Sequence, residues 1–125
     1  MPTTYIPGVC NIGPQEIQMR QRAGWLGVIA TILIGALLFW LQSPGWTRLV
    51  LFFPAFIAAS GFIQAQMHFC VAFASRGLFN MDKAVGVTES VEKAEFRKAD
   101  QKKAVLIWTY SLLIALAVAL LAFFL

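Results

Sequence analysis

The sequence predicts an all-α membrane protein with three transmembrane helices, an antiparallel hairpin followed by a third helix that extends into the cytoplasm. Three observations carry that prediction. The 125 residues are 59% apolar and only 13% charged, with a mean hydropathy of +0.72, whereas a soluble domain carries about 25% charge. A chain this short cannot bury that much apolar surface in a water-soluble core, so lipid must cover the excess. Three segments also reach the roughly 20 apolar residues needed to cross a hydrocarbon layer of about 30 Å, namely 24–41, 48–73 and 104–125. Finally, the charged residues collect between and beside these segments rather than within them.

The elements follow in order. Residues 1–23 read as a cytoplasmic segment, extended or turning through Pro2, Pro7 and Gly8. Gly13-Pro14 then starts a helix, because proline at the first helical position gives up no needed N–H and Glu16 suits the positive end of the dipole. The first long apolar run begins only near Gly24 and no small-residue cleavage site follows it, so the first span is expected to be retained rather than removed as a signal peptide. Ser43-Pro44-Gly45 gives a tight outer turn over 42–47, which makes the first two spans neighbours. Pro54 lies inside the second span and predicts a kink, since it presses on the carbonyl of Val50. The stretch 74–103 is a charged cytoplasmic loop and helix. It is turn-like over 77–87 and helical from Thr88, where Glu89, Glu92 and Glu95 precede Lys98, Lys102 and Lys103. Pairs Glu89–Lys93, Glu95–Lys98 and Asp100–Lys103 have helical spacing worth about 0.2–0.5 kcal/mol each. Val91, Ala94 and Ala99 form only a thin apolar stripe there, which reads as a solvated helix.

Charge sets the orientation. With three spans, one side holds nine basic residues, Arg20, Arg22, Arg76, Lys83, Lys93, Arg97, Lys98, Lys102 and Lys103, and the other only Arg48. The positive-inside rule puts the N-terminus in the cytoplasm and the C-terminus outside. Trp25 and Trp108 fall at the inner boundary, Trp40 and Trp46 at the outer one. Trp25 and Trp40 are separated by about 22 Å of helix, a spacing that suits two interfacial belts. The net charge of +4 therefore addresses anionic headgroups of the bilayer. Nucleic acid is not expected as a partner, because basic and aromatic residues do not interleave.

Within lipid, helices associate through small residues rather than through the hydrophobic effect. Gly27, Thr31 and Gly35 supply such a face on the first span and Ser111, Ala115 and Ala119 on the third. On the second, Ala55 with Ala59 and Gly61 with Ala65 do the same. Ser60, Gln64 and His68 recur every four residues and form a polar intramembrane face, the default place for chemistry in a span.

His68 is the only histidine, and Cys10 and Cys70 are the only cysteines. Together they raise the alternative of a metal, haem or thiol redox site at the cytoplasmic face. Helical geometry weighs against chelation by His68 and Cys70, which stand on nearly opposite faces of an unbroken helix. A cytoplasmic setting weighs against a stable disulfide. No phosphate loop, HExxH pattern or intramembrane charge is present to suggest an enzyme, and no cofactor is required by the pattern. The leading expectation is a packing, accessory or assembly subunit of a homo-oligomer or a larger membrane complex. An oligomeric pore or carrier lined by Ser60, Gln64 and His68 is the weaker alternative.

The strings Tyr5-Ile6-Pro7-Gly8-Val9-Cys10-Asn11-Ile12-Gly13-Pro14, His68-Phe69-Cys70 and Ala94-Glu95-Phe96-Arg97-Lys98 resemble a group of small uncharacterised bacterial membrane proteins. The resemblance spans most of the chain and implies a bacterial inner membrane. It implies no activity.

Overall fold

The computed structural model describes residues 5–81 and 87–125. Pro2, Lys83 and most of the second half of the turn-like stretch 77–87 lie outside the described residues. Three helical stretches, Pro14–Trp40, Gly45–Met67 and Ala94–Phe124, are long and apolar enough to cross a membrane. This is the architecture of a membrane-embedded protein.

The first helix, α1 (Pro14–Trp40), is uninterrupted. The second stretch is composite: a short α2 (Gly45–Arg48), a 3-10 turn over Leu49–Leu51, then α3 (Phe52–Met67). That composition changes the meaning of Pro54. It falls just after the 3-10 turn, whose carbonyls accept the N–H groups at the junction, and the backbone stays right-handed helical into α3. The 3-10 turn stands where a mid-span kink was expected.

The second helix also stops earlier than its apolar run. It was expected to continue to residue 73, but it ends at Met67, and a separate helix α4 (Val71–Arg76) follows. His68 adopts φ 54° and ψ 44°, a left-handed conformation that terminates α3. The carbonyl of Gln64 receives the Phe69 N–H at 2.9 Å, and the Gln64 side chain accepts the Val71 N–H at 3.0 Å. These bonds satisfy the groups that the break would otherwise orphan.

After α4 come two short antiparallel strands, β1 (Leu78–Phe79) and β2 (Glu89–Ser90), paired Leu78 with Ser90 and Phe79 with Glu89. That pairing holds Glu89 in a strand, so the helix expected from Thr88 begins only at Ala94. It runs as α5 (Ala94–Phe124). The spacing that was read as a helical Glu89–Lys93 pair is therefore not helical. Of the other two expected pairs, Asp100 faces the protein interior instead of Lys103, and Glu95 and Lys98 form no ion pair among the described residues.

α1 and α5 both pack along α3 and barely touch one another. The contacts use small residues. A Cβ placed on Gly27 would come within 2.5 Å of the Ala58 backbone nitrogen, and one on Gly61 within 2.7 Å of the Gly24 nitrogen, so α1 and α3 meet backbone to backbone. α5 presents Ala104, Ile107, Ser111, Ala115, Ala119 and Ala122 inward. Leu26, Ile32 and Leu33 of α1 and Leu113 and Leu121 of α5 lie exposed on the outside, as lipid contact requires. At the end formed by the 42–47 turn, Arg48 donates to the Ala122 carbonyl at 3.3 Å and lies 4.3 Å from the Phe39 ring centroid. It thereby meets one of the last carbonyls of α5 with a cation.

Candidate functional site

The polar chemistry of the fold is concentrated where α3 breaks. A strap of residues 5–13 crosses that break and joins it to α5 and to β1. The strap starts with a tight turn: Ile6 and Cys10 exchange backbone hydrogen bonds at 3.1 Å, and Gly8 takes φ 70° at the bend. Its outer anchor is Asp100, a fully buried carboxylate. One oxygen accepts the Tyr5 hydroxyl at 2.5 Å and the other the Gly8 N–H at 2.8 Å. Burial, then the hydrogen bond and the charge of Asp100, and finally Cys10, hold the Tyr5 phenol well above its ordinary pKa. The Tyr5 ring also stacks on Phe79, with centroids 4.6 Å apart.

The central anchor is Asn11, with no exposed surface. Its side-chain carbonyl accepts the Cys70 N–H at 2.6 Å and its amide donates to the Cys70 carbonyl at 3.1 Å. The Asn11 backbone N–H donates to the His68 carbonyl at 3.1 Å. For the Cys70 N–H and the His68 carbonyl, one asparagine thus replaces the backbone partners that an unbroken helix would have supplied, while the Cys70 carbonyl also keeps its helical partner, the Ala74 N–H, at 3.1 Å.

The third anchor joins the strap to β1 and to the start of α1. Ile12 bridges Asn80 in parallel, the Asn80 N–H donates to the Asn11 carbonyl at 2.9 Å and the Gly13 N–H to the Asn80 carbonyl at 2.8 Å. The Asn80 side-chain amide donates to Glu16 at 3.2 Å. Glu16, also buried, accepts Arg20 at 2.5 Å one turn along α1. The second terminal nitrogen of Arg20 donates to the Cys70 sulfur at 2.7 Å. Its guanidinium carbon lies 5.6 Å from the Phe73 ring centroid.

The residues singled out from sequence fall as follows. Cys10 and Cys70 are both free and buried. Cys70 sits against Arg20, whereas Cys10 lies near enough to Tyr5 to raise its pKa. His68 is half-buried at the break and its side chain makes no hydrogen bond among the described residues. The helix does break between His68 and Cys70, so the argument from opposite helix faces does not apply to them. Even so, among the described residues no three His, Cys, Asp or Glu side chains gather as a metal site would require.

Ser60 donates to the Ile57 carbonyl at 3.3 Å, and Gln64 bridges the Ser60 carbonyl and Val71. Ser60 and Gln64 line a cavity of about 210 Å³ with Ser75 and Ser111, and His68 does not reach it. Of the packing residues, Gly27, Gly35, Gly61, Ala65, Ser111, Ala115 and Ala119 are buried. Thr31 is half-buried, its hydroxyl donating to the Gly27 carbonyl at 2.7 Å.

Sequence reasoning passed over Asn80, named Asn11 only within a motif, read Asp100 only as a helical partner of Lys103, and read Glu16 only as a residue favoured by the helix dipole. The i,i+4 spacing of Glu16 and Arg20 was the one local signal available. Two of the motifs that carried the family resemblance, 5–14 and 68–70, meet in space at Asn11 and Cys70.

Fold and site together define a helical membrane-embedded protein with a closed polar junction at one end of its spans. Comparison with protein-family models, curated proteins and solved structures returns no match.

Proposed function

We propose that this chain is a multi-pass protein of a bacterial inner membrane that acts as a packing, accessory or assembly subunit of a homo-oligomer or larger complex. The observation that carries the reading is an open apolar groove between α1 and α5, floored by Ala55, Ala58 and Ala59 of α3 and holding about 380 Å³. Three helices in contact could close around one another, but here the outer two stand apart and leave a groove with a floor of small residues between them. Small residues allow another helix to approach closely, the main route to association in lipid.

In this reading α1 and the second span form an antiparallel hairpin. Its support is that the packed positions run in opposite directions: Gly24 by Gly61, Gly27 by Ala58 and Gly35 by Leu51. The strap, the junction and the basic residues lie in the cytoplasm, with Arg48 and the end of α5 outside, because nine of the ten basic residues fall on one side.

Crosslinking in membranes followed by sizing in mild detergent tests the proposal. A species larger than the monomer is expected, and Ala59→Phe, which fills the groove floor, should diminish it. A monomer with no co-purifying membrane protein would overturn the assembly role.

The second reading is a thiol site, favoured by the Arg20 guanidinium held 2.7 Å from the Cys70 sulfur. It predicts that Cys70 is alkylated in the folded protein in membranes. Labelling of Cys70 only after denaturation would reject it.

A further inference from the structure

One face of α5, away from the polar junction, carries charge that the fold leaves uncommitted. Lys98, Gln101, Lys102 and Val105 line a shallow surface groove of about 380 Å³. Among the described residues Lys98, Gln101 and Lys102 make no side-chain hydrogen bond or ion pair. Of the nearest acids, Asp100 is buried and occupied by Tyr5 and Gly8, and Glu95 does not reach Lys98.

The same face continues toward the centre of the span. On a 3.6-residue period, positions 98, 101, 102 and 105 are followed by Trp108, Thr109 and Leu112. Val105 is 65% exposed and Trp108 is 45% exposed. The Thr109 hydroxyl is turned onto the Val105 carbonyl, which leaves an apolar track. The two lysines stand on adjacent turns, and about 10 Å of helix separates Lys98 from Val105. Two ammonium groups and an amide donor at the edge of a span, with an apolar track leading inward, match a phosphate diester that carries acyl chains.

We propose that this face of α5 is a binding site for an anionic phospholipid. The phosphate sits between Lys98 and Lys102 with Gln101 donating to it, and one acyl chain lies along Val105 and Leu112. The proposal rests on α5 spanning the bilayer, not on the assembly role.

The test uses the full chain reconstituted in phosphatidylcholine vesicles that contain phosphatidylglycerol. Tryptophan quenching by brominated phosphatidylglycerol is compared with quenching by brominated phosphatidylcholine. Wild type should prefer the anionic lipid. Lys98→Ala with Lys102→Ala should lower that preference by about fivefold per lysine and about 25-fold together. A control pair, Arg22→Ala with Lys93→Ala, removes equal charge elsewhere and should retain most of it.

An equal loss in both pairs would show only general surface attraction and would overturn the site. Displacement of the lipid by inorganic phosphate at the same concentration would also overturn it, by assigning the lysines to a soluble anion. A chain that incorporates into vesicles and shows no preference refutes the site alone. A chain that does not incorporate refutes the span and the site with it.

Discussion

Replacing Asn11 by alanine is expected to unlatch the strap while leaving the three long helices in place. The side chain makes two hydrogen bonds to Cys70, at 2.6 and 3.1 Å, in a position with no exposed surface. Truncation removes both bonds at once: the Cys70 N–H is left unpaired where water does not reach, whereas the Cys70 carbonyl keeps the Ala74 N–H at 3.1 Å. Leaving a buried polar group unpaired costs about 1–3 kcal/mol. Because only the N–H loses its last partner, the substitution should cost about 1–3 kcal/mol. That corresponds to an increase of about 5- to 140-fold in the population with the strap open.

Cys70 is 1% exposed when the strap is closed, so the rate at which a maleimide labels it reports that population directly. The measurement is made under native conditions in micelles or vesicles, with Cys10 replaced by serine in both proteins to give a single thiol. If Asn11→Ala labels Cys70 within threefold of the reference rate, Asn11 does not hold the break and the latch is misassigned. Asn11→Asp provides a graded case: it keeps the acceptor for the Cys70 N–H, loses the donor and places a charge in the site.

Three further predictions address other parts of the fold. Gly27→Leu should separate α1 from α3 and lower the denaturant midpoint in detergent, because its Cβ alone would fall 2.5 Å from Ala58, whereas Gly35→Ala should change it little, since its Cβ would meet Leu51 at an ordinary 3.6 Å. His68→Gly should fold as well as wild type and His68→Val should lose about 1–3 kcal/mol by equilibrium unfolding, because a β-branched residue resists the left-handed conformation. Tyr5 keeps its proton in the folded protein to a higher pH than in the unfolded chain, where the phenol titrates near 10.0. Its contribution is therefore complete below that pH and declines above it. Strap opening, followed by thiol labelling corrected for reagent chemistry, should rise above pH 10 in wild type and lose that rise in Tyr5→Phe.

The three apolar stretches were legible because a span must be apolar along its whole length, a local property of composition. The small residues that face inward were legible for the same kind of reason: Gly27, Gly61, Ser111 and Ala115 are small at helical spacing, and close approach in lipid asks for that. The break at His68 was not. Met67 through Phe73 reads as a continuation of the second span, and histidine is no helix terminator by composition. What ends the helix is a set of alternative partners: Gln64 from one turn earlier, and Asn11 from a segment 59 residues away. Pairing of that range leaves no periodic mark. The late start of α5 has a similar cause, since Glu89 is drawn into a strand by Phe79. Asp100 shows the limit most plainly. Within a run of alternating charge it looks like one more solvated acid, and only the arrival of Tyr5 and Gly8 makes it an interior residue.

The latch also has a timetable. Tyr5 and Asp100 are 95 residues apart, so during synthesis at roughly 5–20 residues per second the early segment waits about 5–20 s for its last partner to be made. Throughout that interval the first two spans can be threaded into the bilayer while Tyr5 lacks Asp100, although Asn11 can engage Cys70 as soon as that residue is made. Closure then becomes a sign that translation has passed Asp100. A chain that stalls before Asp100 lacks the Tyr5 anchor, and one that stalls before Cys70 lacks the Asn11 latch as well.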